Sequence, residues 1–204
     1  MNRTPMAVSA ASILTVALAA SLAVSLAVSS ASASIYDEGV DGDLSNDRFA
    51  PTMIGLDVGL NTVTMDVIDS DGPGGDLDYF TFTLGADESI DSIVLLDASN
   101  PSVGFDSVAF VGLAFDSIFD FDPLTFSGDG LVGFTLTPAE VVGTDVLGDL
   151  SDGLGSLGEG DYSFWVQQTG EDLTRVSLGI NVVPTPASTA LLGLMGVAAI
   201  RRRR

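Results

Sequence analysis

The chain is dominated by short runs in which apolar and polar residues alternate, each closed within a few positions by Gly, Asp, Asn or Pro. Alternation at every second residue gives each face of a strand its own set of side chains, whereas a helix would scatter such a set around its axis. Residues 78–84 show this most clearly: Phe80, Phe82 and Leu84 are expected to point inward, and Tyr79, Thr81 and Thr83 outward. Residues 62–68 place Val63, Met65 and Val67 on one face. Residues 90–96, 108–115 and 131–136 read as further strands. So do residues 162–167, with Tyr162, Phe164 and Val166 together, and 174–182, with Val176, Leu178, Ile180 and Val182 together. Strands this short, punctuated this often, predict an all-β fold, an antiparallel β-sandwich or jelly roll. One helix is expected within it. Thr137, Pro138 and Glu140 offer an N-cap, a proline at the first helical position and a capping-box acid, and such a helix would end by Gly148. Residues 153–160 are rich in glycine and read as a loop.

Both ends depart from this pattern. Arg3 precedes an apolar stretch at residues 6–28, and Ala31 and Ala33 match the small-residue cleavage site of a signal peptide, with the cut after Ala33. A retained transmembrane helix is the alternative. At the other end, Pro184, Thr185 and Pro186 are followed by an uncharged apolar run at 187–200 and then by Arg201, Arg202, Arg203 and Arg204. The prolines are expected to stop the preceding strand and hold the tail clear of the body. The apolar run suits membrane insertion, although it is shorter than the roughly 20 residues of a comfortable span, and the arginines would remain cytoplasmic. This order resembles the PEP-CTERM sorting tail, with Thr185 standing where glutamate is usual. The resemblance implies recognition by an exosortase-type processing enzyme in bacteria that make exopolysaccharide. It further implies export across the inner membrane, a transient anchor through the C-terminal helix, and a final place at the cell surface or in the extracellular matrix. An uncut tail anchor is the alternative. The expected organisation is a signal peptide at 1–33, one β-sandwich domain at 34–183, and a sorting or anchor segment at 184–204.

The body between these ends is strongly acidic. All 28 acidic residues fall in it, and five of the seven basic residues, Arg3 and Arg201 to Arg204, fall outside, so only Arg48 and Arg175 oppose the charge. Such a surface repels nucleic acid and anionic lipid and attracts cations. Solubility in a salty exterior would also explain it. The chain has no cysteine, so stability must come from the core, from bound ions, or from both.

One acidic constellation suggests chemistry. Residues 36–47 form a dense acidic lead ending in Asn46 and Asp47, and about thirty residues later Gly75, Asp76, Leu77 and Asp78 open the best strand. This order resembles the bacterial pre-peptidase C-terminal domain, a β-sandwich module of secreted proteins, some members of which bind calcium between the lead and the Gly-Asp-x-Asp turn. Carried over, the resemblance makes Glu38, Asp43, Asn46, Asp47, Asp76 and Asp78 candidate ligands. Ca2+ takes oxygen ligands of these kinds, and clustered carboxylates repel one another unless a cation compensates them. The other reading is that these residues form turns and strand entries, where Asp and Asn bond their own backbone. Residues 69–72 also begin like an EF-hand loop, but Pro73 and the missing glutamate at the twelfth position make that match coincidental.

Catalysis is disfavoured, since histidine, cysteine and lysine are all absent. No catalytic residue is expected. Paired carboxylates could hydrolyse a glycosidic bond, but with acids this abundant such a pair is uninformative. Trp165, followed by Gln167 and Gln168, would stack on a sugar ring if exposed and would otherwise pack in the sandwich. The composite expectation is a non-enzymatic exported surface or matrix protein, associated with exopolysaccharide and stabilised by calcium. A carbohydrate-binding or glycan-processing protein is the alternative.

Overall fold

The computed structural model describes residues 35–68, 76–99, 108–125, 130–168 and 173–185. The signal-peptide region with Ala31 and Ala33, residues 69–72, Gly75, Pro186, the apolar run and Arg201 to Arg204 lie outside the described residues. Among the described residues, nine strands form two sheets. The first has the order β1 (Ile35–Asp37), β3 (Gly59–Val67), β9 (Thr174–Pro184), β5 (Glu88–Ser99). The second has the order β2 (Thr52–Met53), β4 (Leu77–Leu84), β8 (Gly160–Gln168), β6 (Ala109–Ala114), β7 (Leu131–Leu136).

Every expected strand is present, and the expected alternation builds the core. Val63, Met65 and Val67 from β3, Phe80, Phe82 and Leu84 from β4, Phe164 and Val166 from β8, and Val176, Leu178 and Ile180 from β9 share one buried cluster. Phe80 and Phe164 face each other across the β4–β8 pair, rings stacked at 4.8 Å. Removing these side chains from water is the main stabilising term for a chain without disulfides.

Three expectations need correction, and one open reading is decided. The sheets are mixed: β1 runs parallel to β3, and β2 parallel to β4. Both exceptions are short strands flanking the acidic lead, β1 at its start and β2 just after it, and the long connections that follow them allow parallel crossing where a hairpin would not. The helix expected after Thr137 is reduced to one 3-10 turn at Ala139–Val141 and, later, α2 (Leu147–Leu150); α1 (Glu38–Asp41) is a single turn in the lead. Thr137 does not cap it. Its hydroxyl accepts from the Ala109 N–H at 3.1 Å, and its own N–H donates to the Ala109 carbonyl, so its capping group extends the β6–β7 ladder instead.

The prolines do not free the tail at once. Pro184 is the last residue of β9, paired with Glu88, and the Thr185 N–H donates to the Asp87 carbonyl at 2.9 Å. A proline is tolerated there because β3's pairing with β9 stops at Val182, so the Pro184 nitrogen faces a side where the strand is an edge. Finally, the outward face of the second sheet is not fully solvated. Residues 115–125 fold over it, and Tyr79, Ala114, Phe119 and Trp165 form a second buried cluster. Trp165 is thereby 2% exposed and is no sugar platform.

Candidate metal centre

The acidic lead is fastened to both sheets by its own polar groups. The Asp37 carboxylate caps the turn of α1 by accepting from the Gly39 N–H at 2.9 Å. Glu38 then turns inward. One carboxylate oxygen accepts from the Leu44 N–H at 2.8 Å and the other from the Asp66 N–H at 2.7 Å, tying the lead to β3. Gly42 follows with φ of 104°, a backbone that a side chain would strain, and this bend brings Asp43 back over the same spot. From the second sheet, Asp78 points into the gap from β4.

Glu38, Asp43 and Asp78 each present a carboxylate oxygen such that all three lie within 4.8 Å of one another. Asp78 is fully buried, and neither of its carboxylate oxygens has a hydrogen-bond partner. An uncompensated buried carboxylate is costly, and burial, with the charges of Glu38, Asp76, Asp43 and Asp66, pushes its pKa up to about 9. Desolvation also raises Glu38, against the lowering effect of the two N–H groups it accepts from, and raises Asp76, with help from Asp43.

Among the described residues no arginine neutralises the group. Arg175 makes a two-pronged bond to Asp66 at 2.7 and 2.6 Å, and Arg48 bonds the Asp120 carbonyl, lies 3.9 Å from Asp122 and covers the Phe49 ring. The fit to a hard cation is thus carried by an orphaned buried carboxylate with two further acids at its mouth. Oxygen donors of this type suit Ca2+.

The six expected ligands divide. Glu38, Asp43 and Asp78 come together, and half-buried Asp76 stands close enough to raise Asp78 without joining the 4.8 Å group. Asn46 and Asp47 do not join it. The Asn46 side-chain oxygen accepts from the Leu77 N–H at 2.7 Å, and Asp47 closes a turn by accepting from the Phe49 N–H at 2.9 Å. For these two the turn-forming reading holds. Asp66 was not expected here. It feeds the site through its N–H to Glu38 and through its charge, and its alternation within β3 gives no local sign of this.

No family model matches the sequence, and no curated protein matches it. Among solved structures the chain is similar to the pre-peptidase C-terminal domain of a collagenase from Bacillus anthracis, at 14% identity and a TM-score of 0.27. The match covers 65% of this chain and 93% of that one. At that score the likeness carries no weight for the site, which stands on its own geometry.

Proposed function

We propose that the body is a non-catalytic, calcium-stabilised β-sandwich of an exported surface or matrix protein. The observation that supports the cation is the buried, unpartnered Asp78 carboxylate facing Glu38 and Asp43. In this reading Glu38 and Asp43 hold the ion from the lead, Asp78 holds it from β4, and Asp76 adds charge beside them. The ion supplies compensating charge between the sheets.

The test is thermal unfolding of the purified chain at fixed ionic strength with calcium, magnesium or chelator. Calcium binding the folded form alone raises stability by about 2.7 kcal/mol at a hundredfold excess over Kd. Magnesium should do less, because it demands a tighter octahedron and gives up water reluctantly. Asp78→Asn should abolish the calcium-selective rise. An equal rise with both ions and in both proteins is screening alone and would sink the site.

Export rests on the two ends of the sequence, and sorting by an exosortase-type enzyme on the tail. Intact-mass measurement of protein recovered from its own host should find it without residues 1–33 and without Arg201 to Arg204. Arginines retained on every molecule would leave only the uncut anchor.

A further inference from the structure

We propose that residues 115–125 form a strap over Trp165 whose closure is set by the cation site, through the stretch of the lead from Asp43 to Arg48; this rests on the calcium reading of that site. The underside of the strap is apolar. Phe119 is fully buried, its ring 5.9 Å from those of both Tyr79 and Trp165, and the Phe121 ring lies 6.2 Å from Trp165. Tyr79 and Trp165 are cross-strand partners on β4 and β8, so Phe119 pins the strap where the two strands join. One polar group is trapped beneath. The indole Nε1 of Trp165 is buried and has no hydrogen-bond partner. A buried donor without an acceptor is destabilising, and water satisfies it as soon as the strap lifts, so closure sets the burial of Phe119 against a stranded N–H.

The lead holds the strap down. The Phe119 N–H donates to the Arg48 carbonyl at 2.8 Å, while the Arg48 guanidinium bonds the Asp120 carbonyl and stands 3.9 Å from Asp122. From β8 the Ser163 hydroxyl donates to the Ile118 carbonyl at 3.0 Å.

The same stretch of lead reaches the cation site. Asp43 presents a ligand oxygen, and the next residue, Leu44, gives its N–H to the Glu38 carboxylate. Ser45 and Asn46 then clasp β4 on either side of Asp78: the Ser45 carbonyl accepts from the Tyr79 N–H at 2.9 Å, and the Asn46 side chain from the Leu77 N–H at 2.7 Å. Asp78 faces Glu38 and Asp43, whereas Tyr79, the next residue, lies on the opposite face against Phe119. Without a cation the three carboxylates repel one another and loosen the lead. The strap then loses its anchor, and the unpaired indole N–H favours its release. Because coupling is reciprocal, whatever frees the strap must weaken cation binding by the same factor.

Trp165 is the only tryptophan in the chain, so its fluorescence reads the strap directly. In the full chain, well below its melting temperature, replacing calcium by chelator should shift Trp165 emission to the red and increase its quenching by acrylamide, with the far-ultraviolet circular dichroism unchanged. Arg48→Met keeps an apolar side chain beside Phe49 and loses the guanidinium bond to Asp120. It should show the red-shifted, quenchable emission even in calcium, and calorimetry should still find calcium bound, weaker by about 5-fold or more. Calorimetric binding with the same Trp165 emission in calcium and in chelator would overturn the coupling and leave the cation site standing. No calorimetric binding would overturn both. A red shift accompanied by loss of the strand signal is global unfolding and overturns the coupling, as does an Arg48→Met chain whose emission and calcium affinity match those of the unsubstituted chain.

Discussion

The two margins of the sandwich are closed by opposite means. At the β5–β7 margin, residues 143–157 bond β5 through backbone groups and through the Asp145 carboxylate, which accepts from the Ile93 and Leu147 N–H groups, and α2 packs against β7 and buries Leu147 and Leu150 in the core. Its carbonyls lie so near Gly133 that an added Cβ would stand 2.4 Å from the Asp149 oxygen, so only glycine allows that approach. At the β3–β4 margin the lead closes the gap with carboxylates: Glu38 bonded to both Leu44 and Asp66, Asp43 above it, and Asp78 buried without a partner. A margin closed by apolar burial and satisfied hydrogen bonds has no unpartnered buried charge to make it depend on divalent ions. One closed by like charges is conditional on pH and on divalent ions.

Breaking the apolar packing of the β5–β7 margin should have the largest effect. Leu150→Ala removes a fully buried side chain and should cost about 2–5 kcal/mol in denaturant unfolding, by the same amount with calcium or chelator. A calcium-dependent loss would mean that the margins are not independent. On the charged side, Glu38→Ala leaves two N–H groups without their acceptor and should cost about 1.5–3 kcal/mol in chelator. It should also remove the response to calcium, which Leu150→Ala retains. If Glu38→Ala keeps a full calcium response, Glu38 only fastens the lead.

Per unit of pH, the smallest expected effect is a slope. The Asp78 carboxyl, ordinarily at 3.8, lies at about 9 in the folded state, so between those values the folded form binds more protons than the unfolded one. Stability without a cation must therefore fall as pH rises through that window. Glu38 and Asp76, also raised, act in the same direction. Melting temperature in chelator should decline toward pH 9, less steeply in Asp78→Asn, and saturating calcium should flatten it. An unchanged slope in Asp78→Asn would place the pH dependence in general repulsion.

Strands were legible because alternation is a local property. Any segment with Phe80, Phe82 and Leu84 on one side must bury that side, whatever its partner. The lead's acidity was equally plain, and three of the six candidate ligands, Glu38 and Asp43 from the lead and Asp78 from β4, do converge. Which ones converge was not legible. Asn46 and Asp47 have the right chemistry, yet each is held by a backbone N–H, of Leu77 and Phe49. Asp66 looks like any solvent-facing strand residue until β9 brings Arg175 beside it and the lead places Glu38 against its N–H.

The same division holds for the other departures. Thr137, Pro138 and Glu140 have a helix start's local chemistry, but the β6 backbone offers Thr137 a stronger claim, with both ladder bonds. Trp165 alternates onto the outer face as its strand requires, and only the return of residues 115–125 covers it. Sequence alone determined the strands, the inward face of each and the excess of charge, because these depend on neighbours within a few residues. Tertiary structure decided which polar groups are left without partners, because a carboxylate's surroundings are assembled from segments that meet only in the folded chain.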